Sequence, residues 1–216
     1  VDQANGSELD GAYALIENGW LYLMLTGNLE SNGNDLEIFL DTRPGGQNRL
    51  RGDNSDVAFG ALDRMGDDGT GNGLTFDPSF SPDWYLTASG NLSGGDNSAP
   101  PYLMDLHLAE LATTGGGDGW LLGAAEAGRY GTLFGPPLEV ENPWGIRAAI
   151  SNANTAGVPA GTGPGIGNGV TAGFEVAIPF AALGDPAGCI QVCVFINGQR
   201  HDFVSNQVLG SLPAGT

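Results

Sequence analysis

The dipeptide Asn18-Gly19, set between AYALIE and WLYLMLT, constrains the fold of this chain more than any other short stretch. Asn-Gly suits the two positive φ angles of a type I′ turn, so the flanking segments read as the arms of a β-hairpin. The second arm breaks the usual pattern. A strand with one face in water alternates apolar and polar residues, whereas Trp20 to Leu25 is apolar throughout. Such a run predicts cover on both faces, one from an opposing sheet and one from a further layer.

The rest of the apolar pattern falls into short segments divided by Gly-, Asn- and Pro-rich loops. Strands are predicted near 12–17, 20–26, 36–41, 84–90, 102–111, 119–123, 146–151, 170–178, 190–197 and 202–205. About ten short strands of this kind specify an all-β fold, a β-sandwich or jelly roll. One or two short helices are expected, in IPFAALGD, where Pro179 suits a first turn and Gly184 its end, and near 55–65. The loop NANTAGVPAGTGPGIGNG has the composition of a linker, but the strands after it need partners that residues 166–216 alone do not supply. The chain therefore reads as a single domain, 1–216.

Charge narrows the partners. Twenty-five acidic residues against 7 basic ones give a net charge of −18, which repels phosphate backbones and anionic membranes. All basic residues are arginines, which excludes lysine Schiff-base chemistry, P-loop phosphate binding and lysine isopeptide cross-links. No apolar stretch approaches the roughly 20 residues of a membrane-spanning helix. A start at Val1 fits a processed, secreted protein.

Two acidic loops carry metal-ligand chemistry. Asp41, Asp53 and Asp56 flank one, and Asp63, Asp67, Asp68 and Asp77 crowd the other. Structural calcium wants six to eight oxygens on a glycine-turned loop, although Asp also stabilises turns without any ion. Cys189 and Cys193 would lie about 13 Å apart in a continuous strand, so a disulfide requires a bend, and the alternative is two buried thiols. Zinc is not expected here, because only His107 and His201 could complete a ligand set with these cysteines. Hydrolase arrangements would use His201 with Asp202 and Ser205, or Asp105 with His107, but GxSxG is absent. Glu139 and Glu141 suit an exposed strand face as well as a glycosidase pair.

Trp120 and Trp144 adjoin loops and are candidates for stacking on sugars, while Trp20 and Trp84 read as core. Asn5 and Asn91 begin glycosylation sequons, and Ser98 beside Pro100-Pro101 is an O-linked alternative.

The segments SELDGAYALIENGWLYLMLTGNLE, LEIFLDTRPGGQN, GLTFD, NPWGIRAAISNANTAGV, FEVAIPFAALG and CIQVCVFINGQRHDFVSNQVLGSLP, in this order, resemble a family of secreted bacterial β-sandwich proteins of the PEP-CTERM-associated type. The resemblance implies an extracellular or cell-surface protein without enzymatic activity. Proteins of this kind recovered as filaments assemble by lending a terminal segment to the neighbouring jelly roll. The expectation is a homopolymer joined non-covalently by strand complementation, with 1–11 or 206–216 as the donor. The alternative expectation is a monomeric carbohydrate-binding module, and a glycan-active enzyme comes third.

Overall fold

The computed structural model describes residues 6–30, 32–90, 103–127, 131–133, 140–156 and 169–209. It is a β-sandwich of two antiparallel sheets. The strands are β1 (Glu8–Glu17), β2 (Trp20–Asn28), β3 (Asp35–Asp41), β4 (Trp84–Gly90), β5 (Leu103–Glu110), β6 (Gly119–Glu126), β7 (Gly131–Thr132), β8 (Arg147–Ile150), β9 (Gly173–Pro179), β10 (Gln191–Asn197) and β11 (Val204–Leu209). A five-stranded sheet has the order β1-β2-β9-β8-β7, and a six-stranded sheet has the order β11-β10-β3-β4-β5-β6. Every predicted strand is present, and β7 is an addition. A helix, α1, covers Ala61–Met65. The short helix expected in IPFAALGD is present as a 3-10 helix at Phe180–Leu183, preceded by Pro179 and ended by Gly184 at φ 71°.

The hairpin closes as its turn residues dictate. Asn18 and Gly19 have φ of 51° and 76°, and Glu17 pairs with Trp20. Leu21, Leu23 and Leu25 of β2 then point between the sheets, where they meet Ile38, Leu86, Leu106, Val176 and Val194. Alternation puts Trp20, Tyr22 and Met24 on the opposite, outer face. They are half-buried, and no second layer lies over them among the described residues.

The outer face of the six-stranded sheet is treated differently. Phe39, Tyr85, Ala109 and Phe195 point outward from four adjacent strands into a second core. The segment between β3 and β4 folds over them and contributes Leu50, Val57, Leu62, Met65 and Phe80. This cover is fastened by polar side chains. Gln47 and Asn54 exchange reciprocal amide hydrogen bonds of 2.7 and 3.0 Å, and the Asn48 amide donates to the carbonyls of Phe76, Asp77 and Phe80. At Gly66 and Gly73 the backbones pass so close that an added Cβ would sit 2.4 Å from a carbonyl oxygen, so only glycine fits.

The described parts of the two segments expected as donors pair within the chain. Glu8, Leu9 and Gly11 pair with Asn28, Gly27 and Thr26, and Val208 and Leu209 pair with Phe195 and Val194. The Leu9 amide also donates to the Gln207 side chain at 3.0 Å, joining β1 to β11. Residues 1–5 and 210–216 lie outside the described residues.

Candidate functional site

The polar end of the second core is the most unusual chemical feature of the described molecule. Alternation in β3 sends Asp35 and Glu37 to the same outer face as Phe39, and the cross-strand pairs Glu37–Thr87 and Thr87–His107 continue that row onto β4 and β5. The turn between β10 and β11 lowers His201 onto the two carboxylates. Its backbone adopts φ 55°, and the Asn197 side chain fixes both sides of the turn by accepting from the Gly198 and Phe203 amides at 2.9 Å each.

Asp35, Glu37 and His201 are each at most 2 % exposed. Nδ1 of His201 lies 2.7 Å from Glu37 Oε1, and Nε2 lies 3.4 Å from Asp35 Oδ2. The Tyr85 hydroxyl donates to Glu37 Oε2 at 2.6 Å, and the Asn197 amide donates to Oε1 at 3.1 Å. One ligand-type atom from each of the three residues lies within 4.8 Å of the others, and this is the group of such residues found among those described. Burial, reinforced by the neighbouring Glu37 charge, pushes the Asp35 carboxyl up to about 7 against the opposing pull of His201 and Ser89. Burial draws His201 down, but the hydrogen bond and charge of Glu37 and the charge of Asp35 outweigh it, leaving the imidazole raised. His107, half-buried on β5, is lowered to about 4 by desolvation and by the His201 charge.

The acidic loops do not converge in this way. Asp67 accepts from the amides of Gly69 and Gly71 at 2.8 Å, and Asp68 accepts from Thr70, so both close Asx turns. Asp53 forms a two-pronged pair with Arg51, and Asp41 accepts from the Ser81 amide. Asp56, Asp63 and Asp77 are exposed at separate places on the cover. Cys189 and Cys193 are free thiols. Cys193 lies in β10 opposite Phe39 and packs on the second core, while Cys189 is exposed before the strand begins. Burial first, then the Asp77 charge, raises the Cys193 thiol to about 11.

His201 is turned away from the hydrolase arrangement, since both of its nitrogens face the β3 carboxylates. Asp202 is exposed, and the Ser205 hydroxyl accepts from the Gln207 amide. Trp120 and Trp144 do come together, at a 4.7 Å centroid distance, but edge to face at 82° and packed on the core. That geometry offers no flat platform. Trp84 is core, as expected. Trp20 is not: it stacks with Tyr22 at 6.4 Å and 27° on the open outer face, with the Arg147 guanidinium 4.9 Å from its ring centre. The candidate glycosylation residues Asn5, Asn91 and Ser98, together with Glu139, lie outside the described residues.

A cleft of about 600 Å³ opens beside Asp41, Arg43 and Cys189. The Arg43 guanidinium is already held by Asp83 and Glu110. No helix among the described residues is long and apolar enough to cross a membrane. No family model matches the chain, and neither a curated protein nor a solved structure is found to be similar to it.

Proposed function

We propose that this chain is a non-enzymatic structural subunit of an extracellular filament or surface layer, and that copies join by backbone pairing at the free edge of β1. The observation that carries this reading is the condition of that edge. β1 is the outermost strand of its sheet, and Tyr13, Leu15 and Ile16 are 63, 57 and 53 % exposed. Tyr13 and Leu15 extend the outer face of β2, forming with Tyr22 and Met24 an apolar groove of about 310 Å³. Ile16 points the other way, so both faces of the strand are apolar and open.

Edge strands of soluble proteins are normally blunted by lysine, proline or a covering segment. Residues 12–16 contain neither lysine nor proline, and no segment covers them among the described residues. They also hold no charged side chain in a chain of net charge −18, and the carboxylate that lines the adjoining groove is Glu175 of β9. A strand from a second copy would satisfy the free backbone groups and cover the apolar rows. Pairing β1 with a different edge of the next subunit is heterologous and propagates as a filament.

Light scattering and negative-stain microscopy test the proposal on the wild type, on Leu15→Lys and on chains lacking 1–5 or 210–216. Filaments in the wild type that disappear in folded Leu15→Lys support it, and loss in one truncation names the lent segment. A wild type that stays monomeric at high concentration overturns it. The second reading, a carbohydrate-binding module, is favoured by the stacked Trp20–Tyr22 pair on the same open face. Glycan binding by a monomer that is lost in Trp20→Ala would establish it instead.

A further inference from the structure

Two carboxylates, Asp35 and Glu37, are buried together, and among the described residues the ion-pair partner of each is His201. Burying charge without full compensation is costly, and one imidazolium balances one carboxylate at most. Asp35 Oδ2 faces His201 Nε2 at 3.4 Å, yet it makes no hydrogen bond. Thr87 Oγ1 and His107 Nδ1, on the continuation of the Glu37 row, are also buried without hydrogen-bond partners. Hydrogen bonding alone therefore leaves this pocket incomplete.

The spacing fits a cation. Tetrahedral coordination with bonds of roughly 2.0–2.1 Å places neighbouring ligand atoms about 3.3 Å apart, near the separation of Asp35 Oδ2 and His201 Nε2. Glu37 sits where an outer-shell carboxylate belongs: Oε1 lies 2.7 Å from Nδ1, and the neutral tautomer that donates Nδ1–H to it keeps Nε2 free as a ligand. Glu37 is in turn fixed by Tyr85 and Asn197.

We infer that Asp35 and His201 bind a zinc-class divalent cation inside the second core, with Glu37 as the positioning residue behind the imidazole. On binding, His201 Nε2 gives up any proton to solvent, and the dication offsets the charge of the two carboxylates. The ion would tie the β10–β11 turn to β3 and so fasten the end of the six-stranded sheet next to β11. This site is independent of the assembly reading, because none of its residues lies on β1 or on the open face of the five-stranded sheet.

Metal-stripped wild-type protein titrated with zinc chloride, and separately with cobalt chloride, tests the inference. Expected are one equivalent of zinc, a rise in melting temperature, visible absorption bands of low-symmetry cobalt, and a zinc-induced shift of the His201 imidazole nitrogens in NMR spectra. Asp35→Asn and His201→Gln should each lower zinc affinity at least about 100-fold, and Glu37→Gln about 10- to 100-fold. If a variant fails to fold, the wild-type cobalt spectrum and the His201 shift still decide. Absence of stoichiometric zinc, or zinc binding that leaves the His201 resonances unchanged, overturns the site.

Discussion

The outer faces of the two sheets start from the same kind of sequence and end in opposite conditions. β2 reads WLYLMLT, apolar through Leu25, while β3 and β4 read DLEIFLD and WYLTASG, alternating patterns broken on the outward face by Phe39 and Tyr85, so all three carry large apolar side chains on both faces. On the six-stranded sheet the chain supplies the missing layer itself, with Leu50, Leu62, Met65 and Phe80 closing over Phe39 and Tyr85. On the five-stranded sheet the described residues leave Tyr13, Leu15, Trp20, Tyr22 and Met24 without such a layer. An apolar run therefore states that cover is needed; it does not state whether the same chain provides it.

The largest effects of substitution are expected on the covered side. Phe39 is fully buried and touches Phe76, Tyr85 and Phe195 at ring-centre distances of 4.9 to 5.8 Å. Phe39→Ala should cost about 3–5 kcal/mol, read as a lower urea midpoint. Tyr85→Phe keeps the ring but strips Glu37 of its hydroxyl donor, and should cost about 1–3 kcal/mol by the same measurement. Leu15→Lys on the open side should change monomer stability by less than about 0.5 kcal/mol, because the side chain is already in water. Its effect should fall on assembly alone.

Two smaller effects sharpen the contrast. Iodoacetamide at neutral pH should label Cys189 in the folded protein and spare Cys193, whose thiol is held protonated beneath the cover. Labelling counted by mass spectrometry checks this, and two equivalents would place Cys193 in solvent. In metal-free protein the Asp35 carboxyl titrates near 7, above its unfolded value, so the unfolded chain gives up this proton first. The Asp35 contribution to stability is then largest below pH 4 and is lost as pH rises through 7. Comparing urea midpoints of metal-free wild type and Asp35→Asn across that range isolates it.

Much of the fold was legible because it rests on local rules. Asn18-Gly19 specified its turn, and the apolar segments marked each strand longer than β7, whose two residues, Gly131 and Thr132, carry no pattern of their own. The short helix after Pro179 is legible from its ends, and it stays 3-10 because Gly184 arrives after only four residues. The buried site was less accessible. DLEIFLD does show two acids on the face shared with Phe39, which is the available signal, but His201 joins them from 164 residues away. The spacing of the acidic loops is the more conspicuous pattern, and there Asp67 and Asp68 close Asx turns and Asp53 pairs with Arg51. Trp20 was assigned to the core because its strand is apolar throughout, and the same cause hid the open face.

Amide hydrogen exchange along β1, followed as protein concentration is raised, tests whether this strand is where copies join. If β1 is the joining edge, the outward-facing amides within 12–17 exchange fast in dilute monomer and become protected as copies assemble, while β3 and β4 remain protected throughout. Exchange in β1 that stays equally fast at every concentration, in a sample that nevertheless forms filaments, would contradict the account.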